Sequence, residues 1–176
     1  MEFKVLSEQE KSLYSKQIIE MMEISDKDFV PPLSARSGTL QKDLKSGQSL
    51  KSGVLSYYEQ MNTQKIICAI ENGLVLGFVS YIEDYVNDVI TADNLPNIYL
   101  STLVLRPEAR GQNLTYRMYD HLFNTLYAER SIFTRTWSTN IAHLKILSKF
   151  DFSELARKKD DRGQGIDTVY YCKKRN

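Results

Sequence analysis

The spacing of apolar positions changes several times along the chain, and each spacing predicts an element. Residues 3–6 suit a short first strand. Ser7 and Glu10 then have the spacing of a capping box, which satisfies two unpaired N–H groups at the start of a helix. Ile18 and Met21 continue this segment at helical spacing. A strand followed by a helix is therefore predicted at the start of the chain.

The middle of the chain changes from irregular to strand-like. Polar residues dominate between residues 25 and 53, where two adjacent prolines exclude a helix locally, and a second helix is predicted at residues 55–61. Residues 65–85 predict a β-hairpin around Asn72 and Gly73, which supply positive φ angles. A long irregular connection such as residues 25–53 is often a binding loop.

The second half of the chain alternates strands with helices. The predicted elements are a strand at residues 98–105, a helix at 114–127, a strand at 132–137, a helix at 141–149 and closing strands around 155–156 and 169–172. This order requires both parallel crossovers and antiparallel pairs. We therefore predict a single domain over residues 1–176 of mixed α/β class, with one mainly antiparallel twisted sheet flanked by helices.

Composition and charge exclude several classes of partner. The chain has 176 residues, 42% hydrophobic and 26% charged, as in ordinary soluble globular domains. A net charge of +1 gives no field that would attract nucleic acid or anionic lipid. The basic cluster at 157–159 is followed directly by the acidic residues Asp160 and Asp161, which favours a solvated turn over a nucleic-acid patch. No apolar run approaches the ~18 residues of a membrane span. Neither nucleic acid nor a membrane is an expected partner.

The cysteines and histidines favour a reduced protein without a metal. Cys68 and Cys172 lie in strand-like runs without a C-x-x-C spacing, which indicates buried thiols in a cytoplasmic protein, and the charged N-terminus lacks the apolar region of an export signal. His121 and His143 are far apart, with no Cys or carboxylate at ligand spacing. We therefore expect no metal site.

The sequence between residues 103 and 117, LVLRPEARGQNLTYR, connects a predicted strand to a predicted helix through proline, glycine and asparagine. A helix that begins in this way presents unpaired N–H groups and the positive end of its dipole, which suit a pyrophosphate. Neither a Walker loop nor a G-x-G-x-x-G dinucleotide fingerprint is present. From these residues alone, a phosphate-binding loop and a purely structural turn both remain open.

The wider context resembles the GNAT superfamily of N-acetyltransferases. Residues 105–115, LRPEARGQNLT, resemble the family's acetyl-CoA pyrophosphate loop, V-x-P-x-[YA]-R-G-x-G-[IL]-[GA], and residues 140–152 resemble its second signature, N-x-x-A-x-x-L-Y-x-K-x-G-F. The residues that match the second signature are Asn140, Ile146, Lys149 and Phe152. The resemblance covers residues 66–172 and implies a GNAT-like fold with acetyl-CoA as cosubstrate.

The resemblance also implies which residues hold acetyl-CoA. The cosubstrate would lie between the strands at 98–105 and 132–137, with main-chain groups of Leu103 and Leu105 paired to the pantetheine arm. The N–H of Val104 or a neighbour would be the oxyanion donor. The other expected binding residues are Arg110, Gly111, Gln112, Asn113, Leu114, Thr115 and Asn140.

Three positions depart from the family pattern. Asn113 replaces a glycine, which is tolerated because asparagine visits the left-handed region readily. Thr115 replaces a smaller residue, and its hydroxyl either crowds the phosphates or donates to them; we favour donation. Leu147 replaces the tyrosine that commonly protonates the CoA thiolate. Either another group or water supplies that proton, or catalysis has been lost. Loss of the tyrosine does not by itself forbid catalysis, because a thiol has a pKa near 8.5 and thiolate is a fairly good leaving group near neutral pH.

A general base is also needed, because an alkylammonium with a pKa near 10.4 must lose a proton before it attacks. In the family this group usually comes from the two strands before the pyrophosphate loop, where Glu83, Tyr99 and Ser101 lie in this sequence. His143 on the second-signature helix is a further candidate. For each of these residues the pattern favours a structural role: Glu83 at a solvated strand end, Tyr99 in the core and His143 as a packing or surface residue.

The resemblance implies direct acetyl transfer from acetyl-CoA to the primary amine of a small molecule or peptide. A non-catalytic acyl-CoA-binding module on the same fold is the main alternative, and a phosphate-binding module unrelated to CoA is another. We expect residues 29–33 and 81–86 to form the acceptor pocket. An exposed strand near either terminus could pair with a second copy to form a homodimer.

Overall fold

Seven strands form one sheet in the computed structural model, which describes residues 1–42, 44 and 53–175. The strands are β1 (Glu2–Val5), β2 (Lys65–Glu71), β3 (Leu74–Glu83), β4 (Asn97–Leu105), β5 (Ser131–Trp137), β6 (Ser153–Lys158) and β7 (Thr168–Lys173). Their order across the sheet is β1-β2-β3-β4-β5-β7-β6, and only β4 and β5 are parallel. The predicted mixed, mainly antiparallel sheet is confirmed. The edge strands are β1 and β6, and homodimer formation through either stays a prediction.

Helices cover both faces of this sheet. They are α1 (Glu8–Ser25), α2 (Val54–Met61), α3 (Leu114–Asp120) and α4 (Ile141–Lys149). The predicted capping box begins α1, where the Ser7 hydroxyl accepts from the N–H of Glu10 and the Glu10 carboxylate accepts from the N–H of Ser7. The helix predicted at residues 114–127 forms, but its second half is a π-helical segment, His121–Leu126, that the periodicity did not indicate.

Two apolar clusters hold the helices against the sheet. On one face, α3 and α4 pack on β2 to β5 through residues such as Met118, Leu122 and Leu147, all fully buried. On the other face, α1 and α2 pack through residues such as Ile18 and Tyr57. The sheet is therefore the middle of three layers. Among the described residues, no helix combines the length and the apolar character that crossing a membrane requires.

A β-bulge in β4 positions the site. Pairing with β3 passes from Thr102 opposite Ser80 to Leu100 opposite Tyr81, so Ser101 is an extra residue in β4. Pairing of β4 with β5 ends at Leu100 opposite Thr134. Beyond that pair, β4 keeps its hydrogen bonds to β3 on one edge, and its other edge faces the space between the diverging strands.

Candidate active site

A cleft of about 380 Å³ lies where β4 and β5 diverge. Its walls include every residue of β4 from Leu100 to Leu105 and every residue of β5 from Thr134 to Trp137. A volume in this range is typical of small-molecule sites. The predicted contact residues Leu103, Val104 and Leu105 therefore line the cleft beside an unpaired strand edge.

The loop that follows β4 forms the mouth of the cleft. A short 3-10 turn, Pro107–Ala109, is followed by Gly111 at φ 74° and Asn113 at φ 57°, and α3 begins at the next residue. Asparagine thus adopts the left-handed conformation in place of the family's glycine, as expected. Gly111 and Thr115 line the cleft.

Arg110 ties this loop to the end of α1. Its guanidinium donates to Asp28 Oδ2 at 2.8 Å and to Ser25 Oγ at 3.0 Å. These bonds hold the Arg110 side chain along the cleft wall and fix the main chain of Gly111 beside the opening. The side chain of Arg110 therefore has a structural role in positioning the loop.

The remaining predicted loop residues direct their side chains elsewhere. Gln112 is exposed and donates to the carbonyl of Glu108 at 2.8 Å, and Asn113 is also exposed. Leu114 is buried in the α3 core cluster. The contribution of these residues to anion binding would therefore come from their main-chain N–H groups.

Asn140 lies on the opposite wall and is the N-cap of α4. Its Oδ1 accepts from the N–H of His143 at 3.3 Å, and its Nδ2 donates to Thr136 Oγ1 at 3.1 Å. Both Asn140 and Thr136 line the cleft. The amide is oriented from both ends, in the position that the second signature indicated.

Glu83 and Tyr99, two of the predicted catalytic residues, lie outside this cleft. Glu83 ends β3 in a separate pocket, where its carboxylate accepts from Lys65 Nζ at 2.6 Å and from the Tyr127 hydroxyl. Burial raises the pKa of Glu83, but these hydrogen bonds outweigh it and hold the pKa below its usual range. Tyr99 is fully buried, stacks on Tyr85 with ring centroids 4.6 Å apart, and has a pKa raised by burial. Their positions give no support to a role as base.

Ser101, at the bulge, does line the cleft and belongs to a polar network. Its hydroxyl lies 2.8 Å from Ser80 Oγ and 2.5 Å from Gln64 Oε1, and Gln64 Nε2 donates to Thr39 Oγ1 at 2.5 Å. The network runs from the bulge to the segment after α1 without a carboxylate. It can relay a proton, but it offers no strong base.

His143 lines the cleft and pairs with Tyr119, a residue to which the sequence assigned no role. The Tyr119 hydroxyl lies 2.9 Å from His143 Nε2, and both side chains contribute to the α3–α4 wall. Burial lowers the pKa of His143 to about 4 and raises that of Tyr119. Both groups are therefore neutral at pH 7, and His143 is too weak a base to hold the proton of an amine.

Leu147 does not line the cleft. It is fully buried in the cluster with Leu114 and Met118. The helix therefore uses the position of the family's tyrosine for packing. Tyr119 is the phenol that reaches the cleft, from the neighbouring helix.

Three arginines also line the cleft: Arg36, Arg135 and Arg162. Periodicity gave no sign of them, and the solvated turn predicted at residues 157–161 comes directly before Arg162. Of the predicted acceptor segments, residues 29–33 reach the cleft through Phe29, whereas residues 81–86 contribute none of its lining. In the described part of the chain, no three His, Cys, Asp or Glu side chains come together as a metal site would require.

Comparison with known proteins supports the fold. No protein-family model matches the sequence, and no match is found among curated proteins. Solved structures do match over nearly the whole chain. An N-acetyltransferase from Staphylococcus aureus Mu50 is 14% identical, covers 99% of this chain and 98% of its own, and superposes with a TM-score of 0.66. The chain has the fold of the GNAT N-acetyltransferases.

Two further structures show the same GNAT fold. An aminoglycoside 6'-acetyltransferase type Ii is 14% identical, with 100% of this chain and 98% of that chain covered and a TM-score of 0.68. The yncA protein from Salmonella typhimurium, solved with its cofactor acetyl-CoA, is 13% identical, with 100% and 94% covered and a TM-score of 0.63. At these identities the likeness concerns the fold, and the chemistry depends on the residues of this cleft.

The geometry of the loop predicts the effect of Gly111→Val. Both Gly111 (φ 74°) and Gly73 (φ 79°), in the β2–β3 turn, have open space where a Cβ would lie, so valine at either position is strained by φ alone. That strain costs ~1–2 kcal/mol of stability in each variant. Only Gly111→Val should also weaken acetyl-CoA binding in calorimetry, by at least about tenfold. Equal acetyl-CoA affinity in Gly111→Val and Gly73→Val would contradict the assignment of the loop.

The low pKa of His143 predicts a pH dependence of stability. Unfolding restores an ordinary histidine with a pKa near 6.5, so between pH 6.5 and about pH 4 the unfolded chain binds more protons and stability falls as the pH falls. His143 keeps partial contact with solvent, so we expect a contribution of only about 1–2 kcal/mol. The free energy of unfolding, measured with urea from about pH 7 to pH 4.5, should fall less steeply for His143→Gln than for the parent. Equal slopes of unfolding free energy against pH in the two proteins would mean that folding does not lower the pKa of His143.

Proposed function

We propose that this protein is an N-acetyltransferase that transfers the acetyl group of acetyl-CoA to the primary amine of an acceptor by direct transfer in a ternary complex. The observation that carries the proposal is that the free edge of β4 and the loop at residues 110–115 border one cleft. An extended pantetheine arm can pair with such an edge as an added strand, while its pyrophosphate contacts the loop amides.

The reaction needs little from the protein beyond orientation. The amine nitrogen attacks the thioester carbonyl carbon, the C–S bond breaks, and the nitrogen loses a proton while the sulfur gains one. A main-chain N–H on the free edge of β4 would stabilise the oxyanion. The predicted donor Val104 does not fit this role: the N–H of Arg106 donates to the carbonyl of Leu76 in β3, and by strand alternation the N–H of Val104, opposite Phe78, also points to β3. The N–H groups of Leu103 and Leu105 face the free edge instead. Holding both reactants in one cleft supplies much of the rate enhancement.

Tyr119 is our candidate for the proton donor to the CoA sulfur. Its pKa is raised by burial, so it remains a neutral O–H donor at neutral pH, and its bond to His143 Nε2 fixes its orientation. His143 then acts as a positioning residue. This arrangement replaces the family's tyrosine, whose place is taken by the buried Leu147.

A second function is favoured by a different observation. Among the residues that the structure describes, Asp28 is the only carboxylate that lines the cleft, and it is bonded to Arg110. A cleft without an available carboxylate base is also what a non-catalytic acyl-CoA-binding module would have. Acetyl-CoA binding alone does not distinguish the two functions, whereas turnover does.

Release of free CoA thiol distinguishes them. We expect acetyl-CoA to bind in calorimetry and thiol to appear in proportion to acetylated amine, identified by mass, with at least one member of a panel of amines. The rate should rise with pH as the amine loses its proton. Binding of acetyl-CoA without acetylation of any amine would support the binding module instead.

Tyr119→Phe tests the assignment of the donor. One well-placed general acid contributes ~10²–10⁴-fold, but thiolate is a fairly good leaving group, so we expect a smaller loss in kcat of about tenfold to a hundredfold. Acetyl-CoA binding should be unchanged. Tyr116→Phe is the matched control, because Tyr116 is on the same helix but stacks on Phe150 outside the cleft. An unchanged kcat in Tyr119→Phe would remove Tyr119 from the mechanism.

A further inference from the structure

Three guanidinium groups come together in the lining of the cleft. Arg36 follows the 3-10 turn Leu33–Ala35, Arg135 lies on β5, and Arg162 lies between β6 and β7. Arg36 and Arg162 are each only 7% exposed, and Arg135 is half-buried. Burial of three cations in one place is unusual unless negative charge compensates them.

The arginines are held in place by neutral groups. Arg36 donates to the carbonyls of Pro31 at 2.9 Å and Val30 at 3.2 Å, and Arg162 donates to the same Val30 carbonyl at 2.6 Å. Arg135 donates to the carbonyl of Thr39 at 3.0 Å. These bonds preorganise the guanidinium groups without neutralising them.

Aromatic rings support two of the three side chains. The guanidinium of Arg36 lies 5.4 Å from the ring centre of Phe29, and that of Arg162 lies 5.5 Å from the ring centre of Trp137. The two rings contact each other with centroids 5.8 Å apart. The cluster is therefore a built wall of the cleft, with its planar groups oriented by stacking.

Negative charge near the cluster is scarce. Within the described ranges, none of the ten ion pairs closer than 4.0 Å involves Arg36, Arg135 or Arg162. The nearby carboxylate of Asp161 accepts from Thr168 Oγ1 at 2.6 Å, and that oxygen accepts from Arg162 Nε at 2.9 Å. Asp161 therefore reaches Arg162 only through the Thr168 hydroxyl, and Asp28, which lines the same cleft, is paired with Arg110.

The pKa of Arg162 reflects the same imbalance. Burial and the positive charges of Arg36 and Arg135 lower the pKa of Arg162 to about 9. Burial also lowers the pKa of Arg36. All three guanidinium groups remain protonated at neutral pH. An anion that enters the cleft would therefore offset the free-energy cost of burying these cations, and it would form charge-assisted hydrogen bonds with them.

We propose that the acceptor amine carries an anionic group, a carboxylate or a phosphate, and that Arg36, Arg135 and Arg162 bind this group. The inference rests on the proposed transferase function and names its substrate class. Arg135 is adjacent to Thr134, the last residue of β5 that pairs with β4. An anion held there places an amine a few bonds away at the point where the strands diverge.

The cluster also bears on deprotonation of the amine, because the described lining offers no carboxylate free to act as a base. Nearby positive charge disfavours an ammonium ion and lowers the pKa of a bound amine. The α-amino group of a peptide begins near pKa 7.7–8.0, compared with ~10.4 for an alkylamine, and so needs less assistance. In a free amino acid the adjacent carboxylate favours the ammonium form, and an arginine cluster that binds this carboxylate offsets that effect.

The experiment uses matched pairs of acceptors with protein saturated with CoA for binding and with acetyl-CoA for turnover. One arm compares free amino acids with their carboxamides, and the other compares O-phosphoethanolamine with ethanolamine. We expect the anionic member of at least one arm to bind and react better than its neutral partner, by on the order of 10²-fold in kcat/KM. The arm that responds identifies the anion as carboxylate or phosphate.

Variants connect the preference to the cluster. Arg135→Gln and Arg162→Gln should lose most of the preference for the anionic partner, and Arg135→Lys, which keeps the charge, should retain part of it. Arg175→Gln removes one charge from an exposed side chain near the C-terminus and should leave the preference intact. If a glutamine variant does not fold, the test rests on Arg135→Lys and on the matched acceptors measured with the parent protein.

The outcomes separate this inference from the proposed function. Turnover of neutral amines as fast as of anionic ones would support the transferase and overturn the inference. Failure of every anionic member to bind CoA-saturated protein would overturn the inference whatever the thiol assay shows. If Arg162→Gln weakened acetyl-CoA binding as strongly as acceptor binding, the cluster would belong to the cosubstrate and the inference would again fail. Anion binding without acetyl transfer would support the cluster and contradict the transferase.

Discussion

The separation of β4 from β5 after the Leu100–Thr134 pair is the constraint on which the site depends. A parallel pair with continuous register would use the hydrogen-bonding groups on both edges of β4 and leave no space between the strands. The extra residue at Ser101 locally disrupts the ladder and increases the twist. The cleft is therefore a property of the main chain, and its backbone edge is available to any extended ligand regardless of nearby side chains.

Because the cleft opens through the middle layer of a three-layer structure, its two sides differ in character. The α3–α4 wall contributes neutral polar groups in a mainly apolar setting: the Asn140 amide and the Tyr119–His143 pair. Other segments of the lining contribute the cationic cluster, supported by aromatic rings. This division suits a reaction in which one reactant is long and extended and the other is small and charged.

The electrostatics of the cleft favour developing negative charge. In the described part of its lining, the one carboxylate, Asp28, is paired with Arg110, and the remaining charged groups are positive. Such a site stabilises a thioester oxyanion and a departing thiolate, and it disfavours a protonated amine. Replacement of the family's tyrosine by Leu147 is then a packing change in the α3 cluster, compensated in our proposal by a phenol from the adjacent helix.

The local chain determined most of the architecture by itself. The alternation of strand and helix periods fixed the elements and the mixed sheet, and the Arg-Gly-Gln-Asn turn before α3 fixed the loop, because backbone preferences act over a few residues. The pairing of Tyr119 with His143, and the burial of Leu147, depended on how α3 and α4 pack together. The grouping of Arg36, Arg135 and Arg162 was decided by tertiary structure alone. These arginines come from three segments far apart in sequence, and each taken singly is typical of an exposed charge, so only the fold that brings them together gives them a shared, buried environment.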